Sequence, residues 1–453
     1  MSKLPLEGVR VLDLTRAYAG TIGTLYLADL GADGIKEEAV TRPDIPTREM
    51  NPAELDPGEK PWERAAYFHR LNVGKRDITL DLTTDTGKDL FRKLVPHCDV
   101  VTENYNPQTM RRFNLHYDAL KELNPSIIMA SMSGFGADGP RKSWAAYYPA
   151  MESMAGLTAI TGYDEDQTLT SLTGYGDWTL GTVGAMAILA ALHHRNKTGK
   201  GQYIDVSGRE AVLAAIGDAM TDLSMNNRVW KPSENLHTSM APHDTYRCKG
   251  DNSWVAMAVR DQQDWIAFCR AIGSPAWTGE AQFSDQEKRH ENQEAMRPLI
   301  EDWTGQHTHR EAADALLAAG VPAGPVLDPS ETLFDPQLKA REYYEVIDHP
   351  LVGSRLFPRQ VPAHYSAMER QPRSHTPLLG EHNHQVLGEL LNLDATSLKE
   401  LEDSGAIGSE PTRKGRRPPE TSREKMRQWG ARADDDYLEK LSAAYGKKIG
   451  PNG

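Results

Sequence analysis

Residues 6–38 read LEGVRVLDLTRAYAGTIGTLYLADLGADGIKEE, and the order of features in that stretch decides the fold. Residues 9–14 (VRVLDL) are a short apolar run with two β-branched members, suited to a strand buried on both faces. Residues 15–20 form a small-residue turn, and 21–30 carry helical spacing that stops at Gly31, where a helix C-cap is expected. A second strand through Ile35 completes a strand–helix–strand unit. The cycle recurs, with strands predicted at 77–82 (DITLDL), 99–102 (DVVT) and 127–131 (IIMAS) and helices at 86–94 and 118–123. Such alternation predicts an α/β fold with a parallel, doubly wound sheet. Residues 178–195 (WTLGTVGAMAILAALHHR) are apolar nearly all round, which predicts a buried helix. Within it Gly181 and Gly184 would let another backbone come close. A turn (KTGKG) and a strand at 202–206 (QYIDV) follow.

A chain of 453 residues exceeds what one core usually supports, so more than one domain is expected. From about residue 226 the pattern changes to a hairpin near Tyr246, Gly250 and 254–259, then helices at 265–272 and 310–319, then GVPAGPV at 320–326. The expected division is a large domain beginning at 1–225, a small α+β domain at 226–328, a return to the large domain at 329–408, and a charged extension at 409–453. That extension, around RKGRRPPE, reads as a solvated tail with one or two short helices.

Composition excludes several classes. A net charge of -13 repels nucleic-acid phosphates. No apolar run reaches the roughly 18 residues of a membrane helix, and MSKLPLEGVRVLDL lacks a cleavable apolar leader. The three cysteines, Cys98, Cys248 and Cys269, form no CxxC pair, which argues for reduced thiols, a cytoplasmic setting and no metal site. No GxSxG, GxxxxGK[ST] or HExxH motif occurs. Gly20-Thr21-Ile22-Gly23 misses the dinucleotide spacing, which disfavours a Rossmann oxidoreductase. The informative spot is Gly174-Tyr175-Gly176-Asp177, just before the apolar helix. Glycines beside a carboxylate open space for another molecule, and a helix start favours the ionised form that a carboxylate nucleophile needs. Asp is equally a preferred N-cap, and the local pattern by itself favours capping.

The motifs, taken in order, resemble the class III CoA-transferases, which include formyl-CoA:oxalate and carnitine CoA-transferases. They are LEGVRVLDLTRAYAG, LADLGADGIKEE, GKRDITLDL, DVVTENYNPQTMRRF, ASMSGFGADGP, GDWTLGTVGAMAILAALHHRNKTGKGQYIDVS, GVPAGPV and PLLGEH, spanning Leu6 to Ile407 with the segments between them. The resemblance implies that Asp177 is the catalytic nucleophile. It implies that Ala17, Tyr18, Ala19, Leu80, Asn104, Tyr105 and Arg112 contact coenzyme A, with the Asn104 amide hydrogen-bonding it and the Arg112 guanidinium meeting phosphate. Backbone N–H groups at Gly174 and Gly176, with Tyr147 and Tyr148, are candidates for the oxyanion and substrate. A CoA thioester is then a co-substrate, with no permanently bound cofactor, and the partners are acyl-CoA and carboxylic acids.

The same resemblance implies a Rossmann-like large domain built from both chain ends and an interlocked ring-like homodimer; a heteromer with a paralogous subunit is the alternative assembly. The chain departs from the family at Tyr148, where Asp is usual, at Glu152, where Gln is usual, and at Ala39 and Ser133, which replace basic positions. A racemase of the same fold would need His where Tyr147 stands, and a phenol is a poor base at neutral pH. Tyr18, Tyr147, Tyr148 and Tyr175 lean toward an aromatic or branched acid, with succinyl-CoA as donor.

Overall fold

The computed structural model describes residues 4–164, 166–412, 422–428 and 434–451. Six strands form one sheet: β1 (Arg10–Asp13), β2 (Asp33–Glu38), β3 (Arg76–Thr79), β4 (Val100–Glu103), β5 (Ile128–Ser133) and β6 (Tyr203–Ser207). Their order is β3-β2-β1-β4-β5-β6, with every pairing parallel. The order reverses direction between β1 and β4, so their C-terminal ends flank the crevice where doubly wound folds bind ligands. Alternation along the strands divides the core between two faces. Leu12, Ile35, Val101 and Met129 pack with Phe91 and Leu94, while Val11, Val100, Ile128 and Ala130 pack with Leu27 and Ile188. Val386, Leu387 and Leu398, from the far end of the chain, join the first of these clusters.

The predicted apolar helix spans Tyr175–Thr198 and packs on the Ala19–Asp29 helix. Contact there is backbone to backbone. A Cβ on Gly181 would stand 2.5 Å from the Ala19 carbonyl oxygen and 2.8 Å from Ile22 Cβ, and one on Gly23 would stand 3.0 Å from the Gly181 carbonyl oxygen. Gly184 instead makes room for the Met132 side chain of β5. The helix is not enclosed all round, however: Thr182, Met186 and Leu189 form an exposed stripe, with Met186 at 63%. The near-absence of polar residues therefore overstated its burial within one chain.

A second compact unit comprises residues 158–169 and 229–335. It holds a three-stranded antiparallel sheet, β7 (His243–Arg247), β8 (Trp254–Ala258) and β9 (Ala323–Pro325). Tyr246, Val255, Met257, Trp265, Phe268 and Leu316 fill its core. The remaining described residues form the larger unit, which also carries the antiparallel pair β10 (Tyr344–His349) and β11 (Gly353–Pro358). The extension is not simply solvated. Helix Tyr437–Tyr445 buries Leu441, Gly450 bridges Ser354 of β11, and Glu54 receives Tyr437 Oη at 3.1 Å, Arg355 at 2.8 Å and Arg423 at 3.3 Å. The basic run RKGRRPPE lies outside the described residues.

The loop after β1 is held by charges buried beneath it. Lys75 Nζ donates to Asp13 Oδ2 at 2.9 Å, to Thr24 Oγ1 at 2.8 Å and to Asn72 Oδ1 at 3.0 Å. Lys36 Nζ donates to the Thr15 carbonyl and lies 3.6 Å from Asp44. Asp44 in turn accepts the Ala17 N–H at 3.0 Å. Burial opposes ionisation of Asp13, yet Lys75 and Lys36 hold its carboxyl down at about 2; burial brings Lys75 down to about 8 against the pull of Asp13.

Two substitutions test this framework by chemical denaturation. Asp13→Ala leaves Lys75 buried without its anion and should cost about 3–5 kcal/mol. Gly181→Leu forces the two helices apart and should cost about 1–3 kcal/mol. Wild-type stability in either variant would contradict the packing described.

Candidate active site

The crevice between the ends of β1 and β4 opens into a cleft of about 520 Å³. Ala17, Tyr18, Ala19, Asn104, Tyr105, Tyr147, Tyr148 and Asp177 all line it, so most of the residues singled out from the sequence converge there. Two do not. Leu80 is fully buried in the core cluster with Leu12 and Ile78 and offers no surface to a ligand. Arg112 is exposed at the end of the short Thr109–Arg112 helix, where its Nη2 donates to Thr109 Oγ1 at 3.1 Å, away from the cleft lining. The cation in the cleft is Arg16 instead. It pairs with Glu37 at 3.1 Å and lies 5.8 Å over the Tyr105 ring.

The wall formed by residues 15–19 has a fixed shape. Ala17 takes a left-handed φ of 56°, an uncommon conformation for a residue with a Cβ. Three tethers hold it: Lys36 on the Thr15 carbonyl, Asp44 on the Ala17 N–H, and Asn104 on Arg16. Asn104 accepts the Arg16 N–H at 2.7 Å and donates to the Arg16 carbonyl at 2.8 Å. Its amide, expected to bond a cofactor, is engaged in bracing the loop.

Asp177 sits in the first turn of the Tyr175–Thr198 helix, and the N-cap is Gly174, left-handed at φ 70° with no side-chain cap. Asp177 therefore does not cap the helix. A Cβ on Gly174 would make only ordinary contacts, 3.6 Å from Asp177 Oδ2 and 3.6 Å from the Tyr148 ring, so the left-handed φ rather than space is what calls for glycine there. The Asp177 side chain is mostly buried and makes no hydrogen bond among the described residues. Burial, and then the negative charge of Glu152, push its carboxyl up from 3.8 to about 7. The expectation of a permanently ionised group is corrected by that environment: the helix-start N–H that would have favoured ionisation goes elsewhere.

It goes to Glu152, on the Tyr148–Ala155 helix, which is completely buried. Glu152 Oε1 accepts the Gly176 N–H at 3.0 Å and the Ser171 hydroxyl at 2.7 Å, and Oε2 accepts the Ser171 N–H at 2.9 Å. Ser171 Oγ accepts the Tyr175 N–H at 2.9 Å. The Gly176 N–H, one candidate donor to an oxyanion, is thereby occupied. Sequence reading passed over Trp144, Met50 and Met132, which line the cleft, and did not foresee that the Ser133 hydroxyl is buried there without a partner. No periodicity marks these residues, because each comes from a different loop or strand end. Among the described residues no cluster of His, Cys, Asp and Glu could hold a metal ion, and no helix is long and apolar enough to cross a membrane.

Comparison with known proteins gives the chain its relatives. The succinyl-CoA–D-citramalate CoA-transferase of Chloroflexus aurantiacus is 32% identical over 409 residues, covering 89% of this chain and 98% of that one. The probable CoA-transferase Rv1866 of Mycobacterium tuberculosis is 32% identical over 404 residues, 88% of this chain, which spans only 50% of that longer protein. The crystal structure of a CAIB/BAIF family protein from Brucella suis matches with a TM-score of 0.79 at 30% identity, covering 86% of this chain and 100% of that one. With the family model for CoA-transferase family III matching residues 6–383 across both the strand-end cleft and the smaller unit, the chain belongs to that family.

Proposed function

We propose that the protein transfers coenzyme A from an acyl-CoA donor to a free carboxylic acid, with Asp177 as covalent nucleophile. The observation that carries this reading is a carboxylate in the cleft wall that no hydrogen bond among the described residues ties down. An Asp177 oxygen attacks the donor thioester carbonyl; a C–O bond forms, the C–S bond breaks, and CoA leaves as the thiolate. The thiolate then attacks the aspartyl carbonyl of this mixed anhydride, releasing the donor acid and leaving an aspartyl-CoA thioester. The acceptor acid runs the same steps in reverse. Acyl energy is kept in each intermediate, so the cleft has to keep water out, which the apolar wall of Trp144, Met50, Met132 and Met151 supports.

The loop at Ala17–Ala19 opens the Ala19–Asp29 helix, whose first N–H groups suit the cofactor's phosphates. Succinyl-CoA is the donor we favour, since it is named in the Chloroflexus relative. The aromatic rings of Trp144, Tyr147 and Tyr148 suit a bulky or aromatic acceptor acid. An interlocked homodimer would cover the open Thr182–Met186–Leu189 stripe, and a paralogous partner chain would do so equally. Buried Cys98 and Cys248 fit a reducing cytoplasm. The racemase reading lacks its base, because Tyr147 stands 68% exposed where that base would be needed.

Incubation with a panel of acyl-CoAs, a hydroxylamine quench and mass spectrometry should find a hydroxamate on Asp177, absent from Asp177→Asn. Exchange of the α-proton in deuterated water with no adduct would instead establish the racemase. A second outcome concerns stability. The folded Asp177 titrates at about 7 against an ordinary 3.8, so its contribution to stability is fully present below about pH 4 and lost as pH rises through 7. Asp177→Asn, which cannot ionise, should therefore melt a few degrees above wild type at about pH 8, with the gap closing toward pH 4.

A further inference from the structure

Glu152 stands behind the carboxylate of Asp177, and its surroundings differ from those of Asp177 in a consistent way. Three protein donors hold it, two from Ser171 and one from Gly176, the residue immediately before Asp177. Water does not reach it. Asp177 has no such donors among the described residues, and burial, followed by the negative charge of Glu152, raises its carboxyl. Other charged groups on the packed elements are committed elsewhere. Arg16 pairs with Glu37, Arg209 Nε donates to the Met154 carbonyl at 2.9 Å, and Arg70 lies 4.4 Å over the Trp178 ring. Glu210 is exposed, and the phenols of Tyr18, Tyr105, Tyr147 and Tyr148 complete the titratable groups around the cleft.

We propose that Glu152 is a positioning residue for the transfer reaction: it takes the N–H of Gly176, the residue next to Asp177, and sets a second carboxylate behind the reacting one. The inference rests on Asp177 being the nucleophile. An under-stabilised carboxylate is a stronger nucleophile than one bonded at a helix start. When its oxygen bonds to the thioester carbon, negative charge moves to the carbonyl oxygen and then to the departing sulfur, away from Glu152. Repulsion present before attack is thus relieved on the way to the transition state, which is how a fixed charge raises a rate rather than merely weakening binding. The same anchoring holds the first turn of the helix in place, because Ser171 bridges Glu152 and the Tyr175 N–H.

The test is the pH dependence of single-turnover adduct formation with succinyl-CoA, in wild type and in Glu152→Gln. Wild type should lose rate on the acid side with a midpoint near pH 7. Glu152→Gln should move that midpoint to lower pH by about one unit and lower the plateau rate several-fold. A residue that only supports the fold would lower the melting temperature and leave the midpoint where it was, and that result overturns the proposal. Should Glu152→Gln fail to fold, the shorter Glu152→Asp, which draws the carboxylate back from the Gly176 N–H, should move the same midpoint to lower pH, and an unmoved midpoint overturns the proposal. Adduct formation by Asp177→Asn would overturn the nucleophile itself; its absence, with an unmoved midpoint in Glu152→Gln, removes only the role given to Glu152.

Discussion

Beneath the C-terminal ends of β1 and β2, two lysine ammonium groups and two aspartates lie out of reach of water, and the cleft depends on how they pair. Asp13 and Lys75 neutralise one another directly, with Thr24 and Asn72 taking the remaining ammonium protons. Lys36 turns instead to the Thr15 carbonyl and to Asp44, whose carboxylate reaches up to the Ala17 N–H. Buried ion pairs rarely add much stability over apolar packing, but breaking one is severe. Their effect here is directional. They fix the backbone of residues 15–17 in a left-handed turn that neither propensity nor apolar packing would select, and that turn is one wall of the cleft.

The opposite wall obeys a complementary constraint. A helix N-terminus offers a small number of unpaired N–H groups, and two carboxylates lie close enough to compete for them. Glu152 wins because it is on a neighbouring helix that aims it at Gly176, and because Ser171 adds two further donors. Asp177, further along the turn and facing the cleft, is left with space rather than partners. The division of roles follows from geometry: one carboxylate is structural and saturated, the other is exposed to whatever enters.

Much of this was legible in the sequence. The strand–helix alternation is found nearly where periodicity put it: 86–94 became Asp85–Leu94, 118–123 became Tyr117–Leu123, and 202–206 became Tyr203–Ser207. Gly181 and Gly184 mark a close approach, as their spacing implied. What escaped reading was charge inside the fold. The run DGIKEE of β2 looks half solvated, yet Lys36, Glu37 and Glu38 are all buried, because Asp44, Arg16 and Arg48 arrive from elsewhere to pair with them. Pattern reading assigns charged residues to solvent and has no means of locating partners that are distant in sequence or lie on irregular segments. For the same reason it did not foresee the buried Glu152 beside the first-turn aspartate, while the Asn104 amide, a cofactor contact only by the resemblance, braces the Arg16 backbone. The interior of the extension was hidden too, since the docking of Tyr437 on Glu54 joins residues at opposite ends of the chain.

The seam between the Ala19–Asp29 and Tyr175–Thr198 helices separates two properties that enzymes often have to trade. Where helices touch through side chains, changing a side chain shifts the axis and whatever the axis carries. Here Gly181 rests on the Ala19 carbonyl and Gly23 on the Gly181 carbonyl, so the main chains themselves set the distance. The aspartate one helical turn before Gly181 inherits its position from atoms that are the same in every amino acid. Trp144 and Tyr147, which also line the cleft, belong to the segment leading into a different helix and are largely exposed. Such a scaffold can be re-tailored for a new ligand by exchanging rings at its rim, while the Asp177 carboxylate keeps its coordinates.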